Sequence, residues 1–551
     1  MNSLESLNGT NITFGQLLNK ASRDWGDLNA IIYNNKSYTY QELNLVTDLL
    51  AKGLLHYGVK KGDKVALWLN NSPEWFFFYY AIAKVGAVVV PVNTRFRTAD
   101  LEYILNQSDS SLLILGEPYR NANYYEILKN IAPEIESGNS QQLNSERLPM
   151  LKRVVSVHFS TPNTISFEDL LLKGKQVPDL ELQNRESQVD PNDLFAIFYT
   201  SGTTGFPKGV MHSHKMIVNM SNVAERLEMK NTDKILLFLP LFHVYASQVG
   251  LTAACIKGAC IVLMDSFEPK KAIQLIKEEK VSIMYGFDAM YLDMMNHPDY
   301  NQEAIQTLRV CMCSGTRGIL EKVVQNNFKV INSYGMTEST GVTSLTFLED
   351  SKETIISTNG FPLAGLSVNI VDPQTKQAVS TGEYGEICVK GHSVMLGYYK
   401  KPEETKEVLT EDGWLYTGDK GYIDESGYLH LSGRIKDIIR VGGENVDPLE
   451  VDAVLISHPD VFKAYTVAAP DERLTEVCAA FVQLHNHVAD INEEDLIAYC
   501  KTKIASFKVP KYLFITESFP MTTTGKVQRF ALKQTALKRL EEQRQKLQLK
   551  N

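Results

Sequence analysis

The sequence predicts an α/β protein. A large N-terminal domain of helix-covered sheets with a β-rich subdomain is expected, followed by a small α/β C-terminal domain. Three observations carry that expectation. Helix and strand patterns alternate through the first part of the chain, as parallel sheets covered by helices require. A glycine-punctuated, strand-rich region then spans 359–431. From 435 to 551 short helix and strand patterns return as a unit of their own, and 551 residues suffice for a large domain (1–434) with a smaller partner.

In chain order, a helix is expected from Tyr40 to about His56, a strand over 64–69 (KVALWL), a helix opening at Pro73 and a strand over 88–91. The window 75–92 (WFFFYYAIAKVGAVVVPV) is the most apolar of the chain. Lys84 and Gly86 interrupt it, so it reads as a core helix and strand and not as a membrane span. Residues 118–151 are polar and are expected to form an irregular surface insertion. A buried strand is expected over 194–199, and a helix capped by Ser213 that carries Met216, Ile217, Met220, Val223 and Leu227.

The αβ rhythm resumes at 257–264, 271–279 and 281–285. Turns are expected at Asp372-Pro373, Thr381-Gly382, Asp412-Gly413 and Ser426-Gly427. In the C-terminal unit, helices are expected at 450–457 and 493–503, with strands at 464–468 and 479–483. The charged tail 531–548 reads as a docking or solvated helix with Leu532, Ala536 and Leu540 on one side.

Composition narrows the function. Hydrophobic content of 44% and charged content of 22% are ordinary for a globular protein with large cores. The 56 basic and 65 acidic residues give a net charge of −9, which argues against nucleic acid as the main partner. Seven scattered cysteines form no CxxC pair, and Cys311 and Cys313 fall on one face of a strand. They read as buried thiols in a reducing compartment. The N-terminus lacks the basic start and apolar core of a signal peptide, and the C-terminus carries no prenylation or peroxisomal signal, so a cytoplasmic location is expected.

Chemistry concentrates first in Tyr199-Thr200-Ser201-Gly202-Thr203-Thr204-Gly205-Phe206-Pro207-Lys208-Gly209. Its glycines let backbone amides close around an anion, and its hydroxyls and lysine supply donors for phosphate oxygens. The lysine precedes the last glycine and Pro207 intervenes, so this is not the usual Gly-Lys-Ser/Thr loop. Strand, loop and helix in sequence would aim backbone amides at a nucleotide phosphate.

Four further segments follow: Ser333-Tyr334-Gly335-Met336-Thr337-Glu338-Ser339; Tyr416-Thr417-Gly418-Asp419; Ser432 to Pro448, with Arg434, Lys436, Arg440 and Gly442-Gly443; and Thr524-Gly525-Lys526-Val527-Gln528-Arg529. Singly each is a common string. Together and in this order they resemble the adenylate-forming superfamily of acyl-CoA synthetases, adenylation domains and luciferases, over almost the whole chain. Within it, medium- and long-chain fatty acyl-CoA ligases are the nearest likeness.

That resemblance implies an ATP-dependent acid:CoA ligase with ATP, Mg²⁺ and coenzyme A as partners of a small carboxylic acid. It implies that the Thr200–Lys208 loop holds the β- and γ-phosphates, with Thr204 and Glu338 toward Mg²⁺. Thr337 would bond the α-phosphate, Tyr334 would lie near adenine, and Asp419 and Arg434 would meet the ribose. Ser333, Gly335 and Met336 complete that strip. Lys526 would bridge the acid and the α-phosphate, Lys436 would be the hinge of a mobile C-terminal domain, and Gly442-Gly443 would approach the pantetheine arm. His243, in Leu239-Pro240-Leu241-Phe242-His243-Val244-Tyr245-Ala246, would border the acid carboxylate or gate its pocket. No aspartate occurs from Leu239 to Gly250, which suits an uncharged acyl chain better than an amino acid.

Gly315-Thr316-Arg317 departs from the small residues usual there. Arg317 narrows the pocket, points outward or meets a polar group of the substrate. The alternative function is a stand-alone adenylation enzyme loading a carrier protein in trans. A luciferase-like oxygenase fits less well because the sequence offers nothing for oxygen chemistry beyond the shared fold, and a non-catalytic nucleotide sensor because both Glu338 and Lys526 are present. The role of Arg440, the chain length of the acid and the oligomeric state stay open, a homodimer included.

Overall fold

The computed structural model describes residues 11–548 except 121, 138–141, 162, 201–206, 316, 443, 472, 486–490 and 523–526. Among these residues two large sheets form the body. One runs in the order Gly397–Tyr398, Lys208–Ser213, Leu194–Thr200, Val88–Pro91, Lys64–Trp68, Ser110–Leu115, Arg153–Ser156 and Ile165–Ser166. The other runs Val330–Ile331, Val310–Ser314, Ile283–Phe287, Lys234–Leu237, Cys260–Leu263, Asn29–Tyr33 and Lys36–Thr39. Both are mostly parallel, as alternating strands and helices demand, with antiparallel pairing confined to one end: Gly397–Tyr398, Lys208–Ser213 and Leu194–Thr200 in the first, Asn29–Tyr33 and Lys36–Thr39 in the second.

Local chemistry explains the helices that cover them. Tyr40–His56 is capped by Thr39, whose hydroxyl accepts from the Glu42 amide while the Glu42 carboxylate accepts from the Thr39 amide. Pro73–Lys84 opens on proline at its first turn and is buried along its whole length, so the apolar window 75–92 is a core helix and strand as expected. Lys84 survives there because its ammonium bonds Asn19, Asn44 and Asp48. Cys311 and Cys313 alternate along Val310–Ser314 and are both buried.

Two expectations need correction. Residues 118–151 are not irregular throughout: Tyr124–Ile131 is a helix capped by Asn123, with Tyr124, Ile127, Leu128 and Ile131 buried in a second core. Those residues sit at helical spacing, and the polar average of the stretch hid them. The loop after Thr200 does not lead into a helix either. Lys208–Ser213 returns as a strand antiparallel to Leu194–Thr200, with Thr200 opposite Lys208. The helix Met216–Arg226 begins only afterwards. Ser213 does not cap it but accepts from the Lys215 amide one turn early.

The β-rich part is a four-stranded antiparallel sheet of Leu366–Val371, Gly385–Gly391, Trp414–Ile423 and Leu429–Arg434. Gly382, Gly413 and Gly427 take left-handed backbone in its turns, as glycine there permits. The small C-terminal domain builds a sheet from Ile439–Val441, Glu444–Val446, Val461–Asp471, Thr475–Leu484 and Tyr512–Ile515. Helices Pro448–Ile456, Glu493–Lys501 and Arg529–Gln548 accompany it. Leu532 and Ala536 of the last helix are buried against its strands, so the tail docks.

Candidate active site

The site grows from the loop between Ser333–Tyr334 and Ser344–Leu345. Its backbone is crowded: a Cβ on Gly335 would lie 2.4 Å from the Gly341 carbonyl oxygen, so only glycine fits. Thr337–Ser339 makes a short 3₁₀ turn held at both ends. The Met336 amide donates to the Ser339 hydroxyl at 3.2 Å, and the Met395 amide donates to the Glu338 carbonyl at 2.8 Å.

His212 supports the same turn, its Nε2–H donating to the Thr337 carbonyl at 2.7 Å. Burial pulls the His212 pKa down to about 4, so the ring is neutral near pH 7 and that single donor is fixed.

Glu338 is 8% exposed, and Tyr398 donates to its Oε1 at 2.9 Å. Tyr398 arrives there because Gly397–Tyr398 pairs with Lys208–Ser213, placing it opposite Val210. Its ring also lies 4.9 Å from the Lys208 Nζ, in cation–π range. Three residues from three distant parts of the chain thus form one chain of contacts: Lys208, Tyr398 and Glu338. Burial raises the Glu338 pKa, since no described cation pairs with the carboxylate.

A second cluster lies beside the first. Asp419 and Arg434 face each other across the antiparallel strands Trp414–Ile423 and Leu429–Arg434. Arg434 Nε meets Asp419 Oδ1 at 2.7 Å, and Tyr334 donates to Oδ2 at 2.7 Å. The Asp419 amide donates to the Thr417 hydroxyl at 3.1 Å, and Asp419 itself is 5% exposed. Glu338 feels the charges of both Arg434 and Asp419, so the clusters share one electrostatic site. Lys436, on the 3₁₀ turn Ile435–Asp437, has its pKa lowered by burial and then by Arg434, and senses Asp419 and Lys208.

The structure therefore brings together Thr200, Lys208, Ser333, Tyr334, Gly335, Met336, Thr337, Glu338, Asp419, Arg434 and Lys436. Gly315 follows the strand Val310–Ser314. His243 is half-buried with its ring 4.5 Å from that of Phe242, at the entry to a π-helix, Tyr245–Thr252. Gly442 takes φ +59 in the turn between Ile439–Val441 and Glu444–Val446.

Arg317 does not join the site. It starts the helix Arg317–Gln325 and turns outward to Glu321 and Glu353, the second of the three possibilities its sequence left open. Arg440 is exposed, and its amide donates to Glu476. Ser201, Gly202, Thr203, Thr204, Gly205, Thr316, Gly443 and Lys526 lie outside the described residues.

Tyr398 and His212 were missed from sequence. Tyr398 sits 60 residues from Glu338, and only strand pairing joins them. No local pattern could have found it. Among the described residues no group of three or more His, Cys, Asp or Glu converges on a point. A Mg²⁺ fits Glu338 all the same, because among the described residues this buried carboxylate is bonded by the neutral Tyr398 phenol and by no cation. Such an ion would take its remaining ligands from phosphate oxygens and water.

Comparison with known proteins agrees with this geometry. Residues 18–399 match the family model described as AMP-binding enzyme, and 450–526 match the AMP-binding enzyme C-terminal domain. YngI of Bacillus subtilis (strain 168), whose name places it among acyl-CoA synthetases, is 35% identical over 536 residues, covering 95% of this chain and 97% of the relative. The mitochondrial medium-chain acyl-CoA ligase ACSF2 of Rattus norvegicus is 34% identical over 540 residues, covering 95% and 87%. The crystal structure of the anthranilate CoA ligase AuaEII with anthranoyl-AMP superposes with TM-score 0.85 at 24% identity, covering 96% and 98%, and supports the fold. The chain belongs to the AMP-binding enzyme family.

Proposed function

We propose that this member of the AMP-binding enzyme family is an AMP-forming acid:CoA ligase acting on a medium- or long-chain fatty acid. The observation that carries the reading is the paired carboxylate site, in which Glu338 and Asp419 are held by separate partners within one electrostatic environment. The relatives named acyl-CoA synthetase and medium-chain acyl-CoA ligase support CoA as the acceptor over a carrier protein.

In the first step the acid carboxylate attacks the ATP α-phosphorus. An acyl–phosphate bond forms, and the bond to pyrophosphate breaks. The carboxylate is already ionised near pH 7, so the step needs charge neutralisation and in-line placement more than a base. In the second step the CoA sulfur attacks the acyl carbonyl. The thioester forms, the thiol proton leaves and AMP departs.

Each residue has a role that its chemistry suits. Thr200 to Lys208, with Ser201, Gly202, Thr203, Thr204 and Gly205, holds the departing phosphates, and the Lys208 ammonium offsets their charge. Thr337 bonds the α-phosphate. Tyr334, Gly335, Met336, Ser333, Gly315 and Thr316 border adenine. Asp419, oriented by Arg434 and Tyr334, accepts from the ribose hydroxyls. Glu338 and Thr204 would hold Mg²⁺, which when bound neutralises phosphate charge. His243 borders the acid, and Lys526 meets both acid and α-phosphate.

Residues 435–551 form the moving domain, with Lys436 as hinge. Its rotation withdraws Lys526 and brings Gly442 and Gly443 to the pantetheine arm. No helix of the described residues is long and apolar enough to cross a membrane. The compartment is the cytoplasm in this reading, on the strength of seven buried cysteines that form no disulfide. The ACSF2 relatives carry the word mitochondrial in their names, so cell fractionation decides this point.

The test is acid-dependent ATP–pyrophosphate exchange by the purified chain across short- to long-chain acids, followed by CoA-thiol consumption. Exchange with a fatty acid and loss of free thiol are expected. Silence with every acid would remove the ligase reading.

A further inference from the structure

The π-helix Tyr245–Thr252 starts two residues beyond His243. Such turns are rare and concentrate at functional sites. This one leads with Tyr245, whose hydroxyl is buried and has no hydrogen-bond partner among the described residues. Tyr285, on the strand Ile283–Phe287, is in the same condition. The two ring centroids lie 6.4 Å apart.

Most other buried phenols are satisfied; among the described residues Tyr80, which stands apart from this pair, is also without a hydrogen-bond partner. Tyr40 donates to the carbonyls of Ala254 and Ala259, Tyr291 to those of Met284 and Met312, and Tyr334 to Asp419. Tyr79 accepts from the Gln248 amide. A buried hydroxyl left unpaired loses its hydration with nothing in return, and two in contact range call for a reason.

Their position supplies one. A Cβ on Gly341 would lie 3.7 Å from the Tyr245 Cα, and the Gly341 amide donates to the Met336 carbonyl. Tyr245 therefore backs onto the loop that carries Thr337 and Glu338. On its other side is Phe287, 5.7 Å between ring centroids. The strand of Tyr285 and Phe287 pairs with Val310–Ser314, which runs directly into Gly315. The two phenols thus lie between the π-helix and the strand ends that border the reacting carboxylate.

We propose that Tyr245 and Tyr285 give the acyl site a hydrogen-bonding end, and that the preferred acids carry an accepting oxygen (keto, ether or hydroxyl) along the chain. The inference deepens the ligase reading and rests on it. An apolar chain placed here leaves both hydroxyls dry and unpaired. A chain oxygen accepts from them, and sites built to bond a substrate oxygen discriminate strongly against analogues lacking it.

The test compares kcat/KM for CoA-ester formation by the full chain on octanoate and on oxo-octanoates that differ in carbonyl position. At least one oxo acid is expected to exceed octanoate by about tenfold or more. Tyr245→Phe and Tyr285→Phe each erase that preference through KM, and each raises kcat/KM for octanoate, because phenylalanine keeps the packing and removes the unpaired donor. Thermal shifts with the same acids must rank them in the same order, which keeps the test open if turnover is slow. Octanoate outranking every oxo acid, as expected if solvent satisfies the phenols, overturns the proposal. So does a preference that survives both substitutions. Absence of pyrophosphate exchange with any acid removes the ligase reading, and this inference with it.

Discussion

The two halves of the site are held in different ways. On the large domain Glu338 is bound by Tyr398, and Asp419 by Arg434, Tyr334 and Thr417, all as direct side-chain or backbone hydrogen bonds in a buried setting. The small domain meets the large one through sparser contacts. Lys463 approaches Asp293 at 3.5 Å, the Lys322 ammonium donates to the Val461 carbonyl at 3.2 Å, and Ile456 packs over Gly318. The first half is set before ligands arrive. The second is attached, among the described residues, through fewer polar bonds, each of which could be exchanged in the domain rotation proposed above. Nucleotide recognition and domain switching should therefore fail separately under mutation.

The largest effect within the fixed half is expected from Asp419→Asn. It removes the charge that Arg434 meets and one acceptor for ribose. A hydrogen bond to a charged group is worth about 1.5–3 kcal/mol, so KM for ATP should rise by about 10- to 100-fold. Steady-state kinetics with ATP varied checks this. An unchanged KM would take Asp419 out of nucleotide binding.

Tyr398→Phe is the next in size. It leaves Glu338 Oε1 without its donor. Partners that orient a metal-binding carboxylate typically contribute about 10-fold or more to metal affinity. The Mg²⁺ concentration at half-maximal pyrophosphate exchange should rise by that order, while KM for the acid stays put. An equal change in both would make Tyr398 a structural support only.

Lys463→Met probes the hinged half and should give the smallest effect. Asp293 is partly exposed, and its pKa is raised by burial against the pull of Lys463. Lys463 is buried, but its partner is partly exposed and 3.5 Å away, so the pair is worth about 1 kcal/mol and the balance between domain positions should move by about fivefold or less. The two half-reactions should then change in opposite directions, and Asp293→Asn should do the same. Equal slowing of both would mean that the contact does not bias the switch.

The same contrast separates what the sequence made legible from what it did not. Strands such as Lys64–Trp68 and the helix Pro73–Lys84 were readable because their apolar runs and caps act locally. So were Glu338 and Asp419, which sit inside contiguous strings. Contacts made by strand pairing were not readable: Tyr398 reaches Glu338 only through its register with Lys208–Ser213. That strand itself went unread between the loop and the helix, because the run KGVMHS is too short and mixed to show its period and Ser213 resembles a cap. Arg317 is a choice that its string left open, and two glutamates distant in sequence or a turn away draw it out.

The central claim is that the lysine for the first chemical step belongs to the moving half. Lys526→Ala, assayed in the full chain, tests it most directly by measuring two rates on one preparation. One is acid-dependent pyrophosphate exchange. The other is thioester formation from supplied acyl-AMP and CoA. Losing one charge that offsets the transition state should cost about 100-fold or more in the first, and the second should stay within about twofold. Equal loss in both rates would contradict the division of labour between the two halves.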